Sequence, residues 1–199
     1  MVHPNEEKAA ELVVKKWKEF QNNNLKVKVL NLIGELQAGK TGTVKIALRN
    51  ISDIWDKQTN SQEFGITVLT TYSLKDLNNQ ITRDYGDLDD IVDIKRITIV
   101  DNAIKKDYVS KSKKVLNSIK GGIVVIDEAE YGVGNEGRIQ RLLDYLVRTQ
   151  KSFFFIFVGA TNYSLQDSLE TSNCKFTVSN VVIEPGKNYR GIKKFYESD

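Results

Sequence analysis

The stretch Gly34-Glu-Leu-Gln-Ala-Gly-Lys-Thr41 matches the pattern G-x4-G-K-[ST] in full, and it directly follows the apolar run Val27-Lys-Val-Leu-Asn-Leu-Ile33. A strand must bring the chain to a glycine turn whose backbone N–H groups converge on a phosphate, and a helix must start there to aim its positive end at the anion. Few folds provide both flanks. In this frame Gly34, Leu36, Gln37, Ala38, Gly39, Lys40, Thr41 and Gly42 are the nucleotide-binding candidates. Lys40 would reach the β- and γ-phosphates, and the Thr41 hydroxyl would sit on Mg2+. A glycine turn with a solvated lysine would give the same letters, so a second site has to support the first.

That second site is Asp127-Glu-Ala-Glu130, after the run Gly122-Ile-Val-Val-Ile126. A carboxylate at a strand end can hold Mg2+ through its water shell, and a neighbouring one can orient and deprotonate the water that attacks the γ-phosphate. Asp127 is the expected metal residue and Glu128 the catalytic one. The alternative, that the pair caps a following helix, does not account for the apolar strand before it or the phosphate loop upstream. A third, weaker element is Val158-Gly-Ala-Thr-Asn162, where Thr161 can hydrogen-bond to the Asp127 loop or to a γ-phosphate.

The rest of the chain reads as alternating strands and helices. Ala9, Ala10, Val13, Val14, Trp17 and Phe20 share one helical stripe, so residues 6–20 form an entry helix. A helix is expected from Lys40 to Asp56, a strand at Gly65–Thr70, and a capping box at Ser73–Asp76 opening another helix. Further strands are expected at Arg96–Val100, Gly122–Ile126 and Phe153–Val158, where apolar runs without polar alternation suit burial on both faces. Helices are expected near Tyr108–Ile119 and Glu136–Thr149, and a last β-rich stretch at Lys175–Ile183. The acidic segment Asp84–Asp93 reads as a surface loop. The expected fold is α/β, a RecA-like P-loop NTPase with a mainly parallel sheet and helices on both faces, its ligand beyond the carboxyl ends of the strands. Residues 1–22 would pack a helix on the core, 23–185 would form the ATPase domain, and 186–199 a tail or link.

Composition closes off some classes. The chain has 199 residues, 40% hydrophobic and 28% charged, enough for one well-buried core. No apolar run approaches the about 18 residues of a membrane span. The polar N-terminus and the single cysteine, Cys174, suit a cytoplasmic setting. The net charge of +3 does not argue for nucleic acid, although Lys105, Lys106, Lys111, Lys113, Lys114 and Lys120 form a run that could track a phosphate backbone or simply solvate a helix face. His3 and Cys174 lack partners for metal or nucleophilic work, and Trp17 and Trp55 fall on apolar stripes.

Together these motifs make the chain resemble the first RecA-like domain of superfamily 2 DEAD/DEAH-type helicases, most of all helicase-like proteins of phages and mobile elements. Gly34–Thr41 is similar to motif I, Asp127–Glu130 to motif II and Gly159-Ala-Thr161 to motif III. Val68-Leu-Thr-Thr-Tyr-Ser-Leu-Lys-Asp-Leu-Asn-Asn-Gln80 is similar to motif Ia. The resemblance implies Mg2+ and ATP, hydrolysis coupled to DNA or RNA, backbone contacts from Thr70, Thr71 and Lys75, and base recognition near Trp17–Gln21. Glu130 departs from the Asp or His of motif II, and no proline follows Thr161. The family's second RecA-like domain, with its arginine finger, has no counterpart here, so another chain or a longer parent would supply half the site. Without a finger, hydrolysis is expected to be slower by about 10³ or more. Two further expectations are a nucleotide-gated binding module and an oligomeric P-loop ATPase with Arg138 or Arg141 acting in trans, although helix-surface salt bridging is the leading reading of Arg138, Arg141 and Arg148 alike.

Overall fold

The computed structural model describes residues 3–22, 27–34, 39–58, 64–71, 75–107, 109–127, 137–149, 151–160 and 177–184. In chain order the elements are α1 (Pro4–Asn22), β1 (Val27–Ile33), α2 (Lys40–Gln58), β2 (Gly65–Thr70), α3 (Lys75–Asp84), a 3-10 turn (Gly86–Leu88) and β3 (Val92–Arg96). There follow α4 (Ile97–Lys105), α5 (Ser110–Asn117), β4 (Gly122–Asp127), α6 (Arg138–Arg148), β5 (Phe153–Gly159) and β6 (Thr177–Val182). The six strands form one sheet in the order β3-β2-β4-β5-β1-β6, and every neighbouring pair is parallel.

The central strands explain why their sequences lack polar alternation. Ile123 and Val125 of β4, with Phe154, Ile156 and Val158 of β5, bury against α1 and α2. Val124, Ile126, Phe153, Phe155 and Phe157 bury on the other face against α4, α5 and α6. Both faces are covered, so both sets must be apolar, and each fully buried large side chain contributes about 1.5–3 kcal/mol. The α1 stripe is buried at all six expected positions. At the β6 edge the register is marked by an amide pair, Asn31 Nδ2 donating to Asn180 Oδ1 at 3.0 Å, on residues directly opposite in the ladder.

Residues 97–100 are not a strand. The edge strand is Val92–Arg96, and the chain turns into α4 at Ile97. Ile97, Val100 and Ala103 are buried while Ile99 is 47% exposed, a spacing of three that buries one helical face. The strand lies partly within the acidic segment expected to be a loop, because an edge strand needs little apolar content: its burial falls off after Val92, and Lys95 pairs with Asp93. The same segment contains Tyr85, 0% exposed, and Leu88, 1% exposed, so it is anchored in the core. The capping box at Ser73 and the tail from 186 lie outside the described residues. Among the described residues no helix is long and apolar enough to cross a membrane.

One buried charge cluster holds the second helical layer together. The Asp101 side chain, 3% exposed, takes Arg141 Nε at 2.7 Å and Lys105 Nζ at 3.0 Å, joining α4 to α6. Burial alone would raise the Asp101 pKa, but hydrogen bonds and charge from Arg141 and Lys105 outweigh it and hold the carboxyl below its ordinary value. A lowered folded pKa stabilises the fold above the unfolded value, about 4, and that contribution is lost as pH falls through the folded pKa. Chemical denaturation of wild type and Asp101→Asn should therefore differ most near neutral pH and converge on acidification; a difference that stays constant down to the acid limit would count against this ion cluster.

Candidate functional site

All six strands point the same way, so their carboxyl ends share one edge, and the motif residues collect there. Gly34 follows β1, and its N–H donates to the carbonyl of Gly159, the last residue of β5, at 3.3 Å. Asp127 ends β4, on the other side of β5. The phosphate loop and the acidic strand end are thus two strand spacings apart, roughly 10 Å, with the end of β5 between them.

The two described ends of the loop have defined geometry. Gly39 has φ +80°, a conformation that L side chains rarely adopt. The helix starts at once, with Thr43 N–H bonded to the Gly39 carbonyl at 2.8 Å. The first turn of α2 carries no acidic residue of its own, and the carboxylate that faces its positive end is that of Glu6 from α1, which lies against Gly39 and Gly42. Lys40 Nζ reaches back to the Gly34 carbonyl at 2.8 Å, clasping the two ends of the loop. Thr41 and Gly42 are half-buried in the same turn. Leu36, Gln37 and Ala38 lie outside the described residues.

At the acidic end, Asp127 is 6% exposed. Its carbonyl accepts from Thr71 Oγ1 at 3.2 Å, and its Oδ2 accepts from the Tyr85 hydroxyl at 3.3 Å. Glu128 and Thr161 lie outside the described residues. The Thr41 hydroxyl and the Asp127 carboxylate are hard oxygen donors, few in number, which suits Mg2+ sharing its shell with phosphate and water. Among the described residues no three His, Cys, Asp or Glu side chains converge.

Strand, glycine loop, helix and a strand-end carboxylate on one edge of a parallel sheet are the parts of a P-loop NTPase. The fold is of that class. No protein-family model matches the chain, and no curated protein matches it. Similar solved structures include the ADP form of the Aeropyrum pernix ORC2 protein, at 14% identity and TM-score 0.47, matching 88% of this chain and 47% of that one. Caenorhabditis elegans PCH-2 matches at 16% identity and TM-score 0.44, over 91% of this chain and 42% of that one. Drosophila ORC bound to DNA matches at 12% identity and TM-score 0.41, over 88% and 46%. The chain thus spans about half the length of these structures, and likeness at this level bears on neither activity nor partner.

Other expected residues fall elsewhere. Thr70 and Thr71 are 2% and 5% exposed; Thr70 is paired in the ladder with Asp127, and Thr71 Oγ1 donates to the Asp127 carbonyl. The side chain of Lys75 lies outside the described residues. Lys105 is engaged by Asp101, while Lys106 is exposed at the end of α4, a nine-residue helix, roughly 13 Å, away from Arg96. Trp17, near the expected base-reading segment, is 1% exposed and packs edge-on against Trp55 and Phe64 with ring centroids 6.5 and 6.4 Å away. Phe64 immediately precedes β2, and Phe20 meets Phe154 at the start of β5. The end of α1 is therefore at the amino ends of the strands, because α1 returns antiparallel before β1 begins. The first turn of α1 is the part that meets the phosphate loop: a Cβ on Gly39 or Gly42 would run into the Glu6 side chain, and Asn5 Nδ2 donates to the Glu184 carbonyl after β6 at 2.9 Å. Neither Glu6 nor Tyr85 carries a motif; an aromatic side chain in an acidic segment is the one signal that could have singled out Tyr85.

Proposed function

We propose that the chain is a Mg-ATP-binding P-loop ATPase whose catalytic site is completed by a neighbouring chain. The observation that carries this reading is the shared edge: Lys40 across the loop, Gly34 bonded to the end of β5, and Asp127 two strands away. In it Lys40 and the α2 N-terminus bind and orient the phosphates, Thr41 and Asp127 hold Mg2+, and Glu128 takes a proton from the attacking water. Mg2+, when bound, neutralises charge on the phosphate oxygens. Thr161 would hydrogen-bond beside them.

The case for a second chain comes from the arginines. Arg141 is committed to Asp101 by two hydrogen bonds, 2.7 and 3.1 Å, and so is poorly suited to act as a finger. Arg138, the first residue of α6, remains as the arginine to test in trans. The helicase-type motor implied by the sequence resemblance needs a second RecA-like domain and DNA or RNA instead, and its support is confined to the motifs. Nucleotide gating without unwinding is compatible with the same site.

Mg-ATPase rate per chain, measured against protein concentration with and without single-stranded DNA or RNA, separates these readings. Turnover per chain should rise with concentration, fall by about 10³ in Arg138→Ala, and ignore nucleic acid. Stimulation by nucleic acid at constant protein would replace the oligomeric reading with the motor; ATP binding without turnover in any condition would favour the gated module.

A further inference from the structure

Thr41 and Asp127 are carried by elements that do not adjoin: α2 follows β1, and β5 separates β1 from β4. An ion shared by two such residues requires their separation to be held to about 0.5 Å. The short segment between α3 and β3 touches both sides. Tyr85 is wholly buried in the core formed with α2, β2 and β4. Its N–H donates to the Ile81 carbonyl at 3.0 Å, and its own carbonyl accepts from Leu88 at 2.9 Å, so its backbone is fixed at both groups. Two residues on, Asp87 takes Lys45 and Arg49 of α2, Arg49 Nη2 lying 2.7 Å from the carboxylate and 3.1 Å from the Asp87 carbonyl. The phenol then extends through the core to Asp127 Oδ2 at 3.3 Å.

A phenylalanine would fill the same apolar space. A buried hydroxyl costs desolvation unless it is hydrogen-bonded, and here its acceptor is the carboxylate expected to hold the metal. The bond is longer than a hydroxyl–carboxylate bond at full strength, as is common before a site closes on its ligand. With Thr71 on the Asp127 carbonyl and Tyr85 on the carboxylate, both the main chain and the side chain of that residue are oriented.

We propose that Tyr85 is a positioning residue for Asp127, and that the Tyr85–Leu88 segment ties this carboxylate to the phosphate-loop helix so that the two halves of the Mg2+ site move as one. The proposal rests on the ATPase reading above. Groups that orient a metal ligand typically change metal affinity about 10–100-fold when removed.

The test is ATP affinity by calorimetry, at graded Mg2+ and in EDTA, for wild type, Tyr85→Phe and Asp87→Ala. Tyr85→Phe should keep the affinity seen in EDTA and the unfolding midpoint, and need about tenfold more Mg2+ for half of the Mg2+-dependent gain. Asp87, 46% exposed in its side chain, can be replaced without disturbing the core, and Asp87→Ala should shift the Mg2+ dependence the same way by less. Equal weakening with and without Mg2+ would mean that Tyr85 is structural only, and the wild-type Mg2+ dependence in both variants would overturn the proposal alone. A wild-type chain that binds no nucleotide in either buffer would overturn the ATPase reading with it. Should Tyr85→Phe fail to fold, an unshifted Asp87→Ala overturns the tie.

Discussion

Lys40→Ala is expected to lose ATP binding while keeping its fold. The ammonium stands at the start of α2 and closes on the Gly34 carbonyl at 2.8 Å, a charged hydrogen bond worth about 1.5–3 kcal/mol. In the nucleotide complex it would face the β- and γ-phosphates in a partly dehydrated loop. Removing one partner from a desolvated, hydrogen-bonded charge pair costs about 2–5 kcal/mol, so affinity should fall by about a hundredfold or more. Calorimetry with Mg-ATP, beside a thermal melt of the free variant, is the check. Undiminished affinity would remove the phosphate loop from the proposed site; lost affinity with a collapsed melt would make the lysine a structural clasp.

Glu128→Gln is expected to separate binding from chemistry. Glu128 follows Asp127 at the end of β4, and the carbonyl of Asp127, in the peptide that carries Glu128, accepts a hydrogen bond from Thr71 at 3.2 Å. Glutamine keeps the size and hydrogen-bonding reach of glutamate but cannot take the proton from water, so turnover should drop by about 10²–10⁴ with ATP affinity nearly unchanged. Single-turnover hydrolysis in the variant measures this directly. Equal turnover would pass the role of base to another group, and a parallel loss of ATP affinity would show that the carboxylate is needed to hold the ligand as well. The two variants are complementary: one removes the ground-state hold on phosphate, the other an interaction needed only on the way to the transition state.

Much of this was legible residue by residue. The glycine loop between an apolar strand and a helix, the buried runs of β4 and β5, and the α1 stripe each record their own burial pattern in their own letters. Residues 92–105 were not legible because the edge strand carries Asp93 and Lys95, while the first turn of α4 is the apolar run Ile97-Thr-Ile-Val100. A β-branched run resembles a buried strand until the exposure of Ile99 reveals a helical period. Trp17 was correctly core-like in its spacing, while its place near the amino ends of the strands, beside Phe64, follows from the direction of α1 and not from its own letters.

What the sequence by itself determined is the class of the fold and the place of the Gly34–Thr41 motif and of Asp127 at the ends of apolar strands, since both follow from patterns no longer than one element and its turns. Which elements face one another was decided only in three dimensions. Tyr85 reaches Asp127 across 42 positions, Arg141 is spent on Asp101 across 40, and Asn5 meets Glu184 across 179. Local periodicity specifies which side of a helix or strand is buried, but strand order and crossovers choose the partner it is buried against. The charges and hydroxyls that tune the site therefore take their roles from packing.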